Sequence, residues 1–223
     1  MENLTDLADR FGSDKGTAKH RYTELYHLLF NPYRGRKITF LEMGLFIGGP
    51  EHGVDADRET TDLPSIRMWL EYFPKAEIHG LDVSDFSWFE HPRFTFHRCD
   101  MDERANVARA ADAMPVPDIV LDDASHASHH QQNAFLEIFP RMRSGGLYVI
   151  EDLRWQPDTY ERPGITKTAA LLRSFIDDRR FTHSDPETQA AFDALIPDIS
   201  ACIVHPVRYQ KSRKDQVAVI HKR

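Results

Sequence analysis

Short apolar runs alternate with longer amphipathic segments along most of the chain, and this alternation limits the possible folds more than any other feature. Seven runs have the length and composition of strands, at residues 37–46, 77–83, 93–100, 118–123, 145–153, 199–210 and 215–223. Strands separated by helices predict an α/β fold of Rossmann-like, doubly wound type, with a mostly parallel sheet and helices on both faces. The last two runs lie close together and add an antiparallel C-terminal strand to a seven-stranded sheet.

Two amphipathic segments precede the first predicted strand, at residues 4–11 and 20–33. They predict an N-terminal helical segment over residues 1–38 that packs on the core domain, residues 39–223. A chain of this length fits one globular unit better than two small ones.

Local composition also predicts two helix caps and one long loop. Thr5 is the candidate N-cap of the first helix, and Ser65 is that of a helix at residues 65–73. Residues 47–64 are rich in glycine, proline and polar side chains, which predicts a long loop rather than a helix or a strand.

The composition restricts the partners and the compartment. The 223 residues carry a formal net charge of −7, and their most basic stretch is only KSRK, at residues 211–214. Nucleic acids and anionic membrane surfaces are therefore poor candidate partners. No run of about 18 apolar residues occurs, so we expect no membrane-spanning helix. The amino terminus lacks the apolar region of a signal peptide, and Cys99 and Cys202 stand far apart, which predicts a reduced, cytoplasmic protein.

Acidic residues stand at the predicted ends of the first three strands, where ligands bind in sheets of this type. They are Glu42, Asp82 and Asp100, and Gly44 and Gly48 follow the first of them. Carboxylates at these positions can bind the hydroxyl or amino groups of a nucleoside, and glycines let the backbone approach it. Because no G-x-G-x-x-G phosphate loop is present, the pattern favours a nucleoside without phosphates, such as S-adenosylmethionine (SAM). Taken singly, each residue is equally compatible with a turn or a helix cap.

The fourth and fifth strands end in a denser group of polar side chains, Asp122, Asp123 and His126 after one strand and Glu151 and Asp152 after the other. Neighbouring parallel strands would bring Asp123, Glu151 and Asp152 together, and their oxygens suit a hard cation such as Mg²⁺, Ca²⁺ or Mn²⁺. Such an ion lowers the pKa of a bound hydroxyl, and the imidazole of His126 can take the proton. Helix caps and solvated turns remain the alternative for these acids, and Asp122 stays ambiguous between a cofactor contact and support of the cluster.

Three further polar residues of this region are assigned structural roles. Asp118 opens the fourth strand, before the apolar run. His129 and His130 begin the next predicted helix, and we expect both of them to face solvent.

Four motifs together resemble those of a known family. They are LEMG, SIRMWLEYFPKAEIHGLDV, DDASH and GGLYVIEDL, all between residues 41 and 153, which is about half of the chain. They are similar to motifs of the class I SAM-dependent methyltransferases and, within these, of the macrocin- and mycinamicin-type sugar O-methyltransferases. DDxSH followed by ED at the next strand end is the most specific part of the resemblance.

This resemblance implies a metal-dependent SAM-dependent methyltransferase domain over residues 39–223. Asp123, Glu151 and Asp152 would bind Mg²⁺, and His126 would be the general base, so that Asp123 and His126 carry the catalysis. The residues that would surround SAM are Glu42, Gly44, Gly48, Ser65, Asp82, Asp100 and Asp122.

Two flanking segments extend the resemblance. The N-terminal motif FGSDKG…HRYTELY looks like that of other small bacterial methyltransferases, and it would place Lys15, His20 and Tyr22 over the cofactor. Aromatic and amide side chains after the fifth strand are candidates for an acceptor pocket: Trp155, Gln156 and Tyr160. The large N-terminal auxiliary domain of the macrocin-type enzymes has no counterpart in the chain, which leaves the acceptor open, together with the oligomeric state, a homo-oligomer included.

The main hypothesis is a Mg²⁺-dependent O-methyltransferase acting on a sugar or hydroxyl group of a glycosylated secondary metabolite. A variant is N-methylation of an aminosugar without a metal. Rival hypotheses are a nicotinamide-dependent oxidoreductase on a related fold, a hydroxylase recruited from the same family, and a non-catalytic SAM- or metabolite-binding module.

Overall fold

Seven strands form one sheet that organises the molecule. The computed structural model describes residues 2–46, 48–49, 60–209 and 213–223. The strands are β1 (Thr39–Met43), β2 (Glu77–Asp82), β3 (Phe94–Arg98), β4 (Ile119–Asp122), β5 (Leu147–Ile150), β6 (Ile199–Tyr209) and β7 (Arg213–Lys222). Their order across the sheet is β3-β2-β1-β4-β5-β7-β6, and β7 runs antiparallel to both of its neighbours. The predicted Rossmann-like fold, mostly parallel with an antiparallel C-terminal strand, is therefore confirmed.

Helices connect most of these strands. Within the described residues they are α1 (Leu4–Phe11), α2 (Tyr22–Phe30), α3 (Pro64–Tyr72), α4 (Arg104–Asp112), α5 (Ser128–Ile138), α6 (Thr168–Asp178) and α7 (Pro186–Asp193). Of the predicted loop at residues 47–64, residues 47 and 50–59 lie outside the described part. No described helix is long and apolar enough to cross a membrane.

Side chains that alternate along each strand divide the apolar core into two layers. In β5, Leu147 and Val149 belong to one cluster, whereas Tyr148 and Ile150 belong to the other. The first cluster also contains side chains of α1, α2 and α3, and the second contains side chains of α4 to α7. The helices thus cover both faces of the sheet, as the period of two in the strands requires.

Both predicted helix caps are wrong by two positions, because the N-caps are Asn3 and Leu63. The cap of α1 is Asn3, whose side-chain oxygen accepts the N–H of Asp6 at 2.9 Å, whereas Thr5 lies inside the helix. Helix α3 begins at Pro64, because the fixed φ of proline and its missing N–H suit the first helical position. Ser65 therefore sits in the first turn, where its hydroxyl is turned towards the sheet.

The N-terminal helices pack on the same face as α3. Tyr22, Tyr26 and Phe30 recur every fourth residue along α2, so they share one face of the helix, and all three are buried. Phe30 contacts Trp69 of α3 with ring centroids 6.0 Å apart. Residues 4–30 therefore contribute to the main core, while the boundary at residue 38 stays a prediction.

Candidate functional site

A cavity of about 780 Å³ opens at the carboxyl ends of the first five strands. It spans the place between β1 and β4 where the strand order reverses, which is the usual ligand site of doubly wound sheets. Five of the predicted site residues that line it are Gly44, Asp82, Asp100, Asp123 and Asp152. Ser65 and His126 line it as well. A volume of this size lies in the range of cofactor and substrate pockets, roughly 300–1,000 Å³.

The acids after β2 and β3 line the cavity and also hold the backbone around it. One oxygen of Asp82 accepts the N–H of Leu45 and the other accepts the N–H of Ser84, both at 2.8 Å. Asp82 thereby ties the loop after β1 to the end of β2. Asp100 accepts the N–H of Asp102 at 3.0 Å, which forms a local turn.

The two predicted glycines, Gly44 and Gly48, differ in their surroundings. Gly44 has a φ of +81°, and a Cβ there would lie 2.1 Å from the carbonyl oxygen of Asp123. The close approach of two backbone segments therefore excludes any side chain at Gly44. Gly48 has a φ of +78° with open space around it, and it is not among the described residues that line the cavity.

Glu42 and Asp122 are buried and do not line the cavity. Glu42 accepts the hydroxyl of Ser65 at 2.7 Å, and burial raises its pKa to about 7 although Lys15 opposes the shift. Burial likewise raises the pKa of Asp122 to about 7, although the N–H of Ala124 donates to it. The structure therefore does not bring these two carboxyl groups to the cavity surface with the other predicted cofactor residues.

A buried lysine lies among the carboxylates at the ends of β1, β4 and β5. The ammonium group of Lys15 donates to Asp123 and lies 3.3 Å from Glu151 Oε2 and 3.7 Å from Glu42 Oε1. Its side chain is only 2% exposed, so this charge depends on its carboxylate partners. We call Asp123, Glu151 and Asp152, the three carboxylates predicted to bind Mg²⁺, the acidic cluster.

Two tyrosines of α2 also contact the acidic cluster. The hydroxyl of Tyr22 donates to Asp152 Oδ1, and that of Tyr26 donates to Glu151 Oε1 at 2.6 Å. Burial and the neighbouring carboxylates raise the pKa of both tyrosines, so that both keep their protons and act as donors. Lys15 and His20 also line the cavity, as expected of groups that cover a cofactor. Tyr22 contacts the acidic cluster but does not line the cavity.

His126 stands between two members of the acidic cluster. Its Nε2 lies 3.5 Å from Asp152 Oδ2 and 3.9 Å from Asp123 Oδ1. One donor atom from each of Asp123, His126 and Asp152 lies within 4.8 Å of the other two, a spacing that suits one metal ion, whereas Glu151 is not part of this compact group. His126 and Asp152 both have a left-handed backbone, with φ values of +62° and +50°. Strain of this kind in side-chain-bearing residues is typical of functional sites.

The carboxyl groups of this region differ in their protonation. Burial and the charge of Asp123 raise the pKa of Glu151 well above its usual value, against the effect of Lys15. Burial raises the pKa of Asp152 too, but His126 and several hydrogen-bond donors outweigh it and hold the pKa below the usual value. Burial and the charge of Asp152 raise the pKa of the neighbouring Asp215 to about 7.

The prediction that His129 and His130 face solvent is wrong. Both are 4% exposed, and the Nε2 atoms of their rings lie 2.9 and 3.3 Å from Asp102 Oδ1. The same oxygen accepts from Arg162 at 2.9 Å. We call Asp102, His129 and His130 the histidine cluster. The carboxylate of Asp102 already has the guanidinium of Arg162 as a partner, so the histidine cluster has no uncompensated negative charge to attract a further cation.

The residues after β5 that were predicted to form the acceptor pocket line the cavity only in part. Trp155 and Tyr160 line the cavity, and Trp155 is 41% exposed. The Trp155 ring meets His126 edge-on, with centroids 5.4 Å apart. Gln156 belongs to an adjoining cavity formed by residues 154–167 and shares it with Trp155. Asp118 is structural as predicted, since it accepts the N–H of Thr39 at 2.9 Å.

Tyr26 and Asp215 contact the acidic cluster and were not predicted. Tyr26 follows Tyr22 by one helical turn, so the spacing alone indicates that both hydroxyls lie on one face of α2. Asp215 lies 63 residues after Asp152 in sequence, in β7, and no local pattern indicates that the two carboxyl groups meet.

Comparison with known proteins supports the resemblance seen in the sequence. No protein-family model matches the chain. The chain is 40% identical to the 8-demethyl-8-alpha-L-rhamnosyl tetracenomycin-C 2'-O-methyltransferase of Streptomyces olivaceus, over 69% of the chain and 38% of that protein. It is 32% identical to the mycinamicin VI 2''-O-methyltransferase of Micromonospora griseorubida, over 96% of the chain and 54% of that protein. The chain thus spans about half the length, or less, of these curated relatives.

A solved structure agrees with these relatives. A methyltransferase of the mycinamycin biosynthetic pathway, in complex with Mg, SAH and mycinamycin VI, superposes with a TM-score of 0.74 at 30% identity, over 99% of the chain and 54% of that structure. With its sheet order and its cavity at the strand ends, the chain belongs to the class I SAM-dependent methyltransferases. Within that class it is related to the macrocin- and mycinamicin-type sugar O-methyltransferases.

Proposed function

We propose that the chain catalyses Mg²⁺-dependent transfer of a methyl group from SAM to a hydroxyl group of a sugar on a small natural product. The observation that carries the proposal is the compact group of Asp123, His126 and Asp152 beside the cavity that Asp82 and Asp100 line. A cation, a base and a nucleoside would thus share one opening. The curated relatives are named as O-methyltransferases acting on sugars of antibiotics, which supports the same conclusion.

The cofactor role of each residue is part of this proposal. Asp82 and Asp100 would bind hydroxyl and amino groups of SAM, while Gly44 and Ser65 would lie along it. Gly48, which does not line the cavity, would let the backbone turn after β1 rather than contact the cofactor directly. Glu42 and Asp122, which are buried and do not line the cavity, would support the wall rather than contact the cofactor directly.

The donor set of the acidic cluster fits a hard divalent cation. Asp123 and Asp152 offer oxygens, and a buried ammonium already lies against Asp123, so the cluster accommodates positive charge. We assign Asp123, Glu151 and Asp152 to Mg²⁺. When bound, SAM supplies the methyl group and Mg²⁺ lowers the pKa of the acceptor hydroxyl and orients it.

His126 would take the proton of the acceptor hydroxyl. Its Nε2 faces the cavity region between Asp123 and Asp152, and these carboxylates would stabilise the imidazolium that forms. The positioned base and the fixed acceptor together account for the catalysis expected of direct methyl transfer.

Trp155 would be the platform for the acceptor sugar. Its half-exposed ring lies next to His126 and between the main cavity and the adjoining one. A sugar stacked on this ring would place a hydroxyl near the base, while the rest of the acceptor would extend along residues 154–167. Tyr160 and Gln156 would contribute to the same wall.

The test combines binding and turnover. Calorimetric titration with SAM, with and without Mg²⁺, should show binding of the cofactor. Turnover should then appear with a rhamnosyl polyketide or a deoxyhexosyl macrolide as acceptor, measured as formation of S-adenosylhomocysteine and of the methylated product. Absence of SAM binding would refute the methyltransferase proposal. Methyl transfer that survives EDTA would refute its metal half and favour the metal-free N-methylation of an aminosugar.

A further inference from the structure

Three side chains from residues 15–26 donate to oxygens of the acidic cluster, and Lys15 also lies 3.3 Å from Glu151 Oε2. Lys15 donates to Asp123 Oδ2 and Tyr22 donates to Asp152 Oδ1. Tyr26 donates to Glu151 Oε1 at 2.6 Å. None of the three donors comes from the sheet that carries the acids, so a separate segment of the chain determines how these carboxylates are oriented.

The second oxygen of each aspartate lies towards His126. Asp123 Oδ1 and Asp152 Oδ2 are the atoms nearest to His126 Nε2, at 3.9 and 3.5 Å. Each of the two aspartates therefore has one oxygen bonded by the N-terminal segment and the other nearer to His126, and Asp215 is a further contact of Asp152.

The donors themselves are held in place. Tyr22 and Tyr26 are fully buried and lie one helical turn apart on α2, so both hydroxyls leave the helix on the same side. The carbonyl of Lys15 accepts both the N–H and the hydroxyl of Thr23, each at 3.1 Å, which links Lys15 to the first turn of the same helix. The three donors are thus connected to one another through α2.

We propose that Lys15 and Tyr22 are positioning residues that make Asp123 and Asp152 monodentate ligands, that Tyr26 restrains one oxygen of Glu151 beside them, and that the site is thereby selective for Mg²⁺ over Ca²⁺. The inference rests on the metal half of the proposed function. Mg²⁺ requires a small octahedral shell in which carboxylates bind through one oxygen, whereas Ca²⁺ takes more oxygens and accepts both from one carboxylate. Groups that hydrogen-bond the far side of a ligand commonly control metal affinity in this manner.

The test compares single hydroxyl deletions by calorimetric titration with Mg²⁺ and Ca²⁺ separately. Tyr22→Phe frees Asp152 Oδ1, so we expect Mg²⁺ affinity to fall by about 10- to 100-fold. Ca²⁺ affinity should fall less or rise, so that the ratio of the two affinities moves towards Ca²⁺. Tyr33→Phe is the matched control, because its hydroxyl donates to the carbonyl of Gly145 at 2.8 Å, away from the cluster.

Each outcome is decisive. A change of the affinity ratio in Tyr22→Phe, but not in Tyr33→Phe, supports the inference. Tyr26→Phe gives a second reading of the same ratio should Tyr22→Phe fail to fold, as judged by circular dichroism. An unchanged ratio in the folded variants, or an equal loss for both ions, would overturn the positioning role while leaving the metal site intact. Wild-type protein that binds neither ion would refute the metal site itself, and the inference with it.

Discussion

The acidic cluster and the histidine cluster lie close together in the chain and differ mainly in their balance of charge. Asp123 and Asp152 of the acidic cluster form a group with His126 within 4.8 Å, and the three residues of the histidine cluster form another. The acidic cluster contains three carboxylates, and the buried Lys15 is the one ammonium that the described contacts place on them. In the histidine cluster a single carboxylate, Asp102, has Arg162 and two imidazoles around it.

Proximity of ligand-type atoms is therefore a poor guide to a metal site by itself. A cation is attracted by negative charge that the protein leaves uncompensated, and only the acidic cluster has it. The histidine cluster instead connects α5 to the segment that carries Arg162, next to the proposed acceptor wall. Substitutions in the two clusters should consequently have very different effects.

The largest difference is expected between two Asp→Asn variants. Asp123→Asn removes a ligand of the proposed cation and a partner of His126, so kcat/KM should fall by at least about 10⁴-fold. Asp102→Asn is the control from the histidine cluster and should change kcat/KM only a few-fold. Steady-state kinetics at saturating SAM measure both. Equal losses in the two variants would show that the clusters do not differ in function.

His126→Gln tests the base in the same manner. Loss of a general base lowers kcat by about 10²- to 10⁴-fold, while SAM binding should persist because the cavity walls are unchanged. His129→Gln should leave kcat within a few-fold of wild type. A His126→Gln enzyme with nearly normal kcat would exclude His126 as the base.

Lys15→Met should reveal the charge balance of the acidic cluster through stability. Removing one partner of a buried ion pair costs about 3–5 kcal/mol of unfolding free energy, because the remaining charges stay buried and unpaired. Lys19→Met is the matched control, since Lys19 pairs with Asp14 at 3.0 Å in a more exposed position and should cost about 1 kcal/mol or less. Urea unfolding without added metal measures both. A small effect of Lys15→Met would mean that the carboxylates do not depend on the ammonium.

We expect His130 of the histidine cluster to make the unfolding free energy depend on pH. Burial and the neighbouring His129 lower the pKa of His130 from 6.5 to about 4. The unfolded chain therefore takes up a proton first as the pH falls, so stability is full above pH 6.5 and is lost towards pH 4. The loss amounts to at most about 3 kcal/mol. His130→Gln should flatten this part of the curve; if thermal unfolding followed over this range shows the same slope in both proteins, the assignment to His130 is wrong.

Much of the fold was predictable because its causes are local. The run of β4, for example, has apolar residues between two aspartates, and the structure places it as a buried central strand that ends at Asp122. The arrival of Asp123 and Asp152 at one cavity followed from the rule that parallel strands end on the same edge of the sheet. Neither inference needed contacts from distant parts of the chain.

The rest of the site depends on distant contacts that no local pattern reports. The resemblance placed Lys15 over the cofactor, but lysine is rarely buried and no local pattern indicates its partner Asp123, which lies 108 residues away. His129 and His130 looked like helix surface because they are polar, and it is Asp102, from the loop before α4, that allows them to be buried. The left-handed backbone of His126 and Asp152 is likewise imposed by the surroundings.

The long sequence separation between Lys15 and its partners also affects how the chain folds during synthesis. Lys15 is separated from Glu151 by 136 residues, and Tyr22 is separated from Asp152 by 130. Domains fold as units from the amino terminus during synthesis, and contacts between distant residues form slowly. A nascent chain that ends before β5 therefore has the ammonium and only part of its counter-charge. We expect the cavity at the strand ends to assemble late, after β5 has joined the sheet.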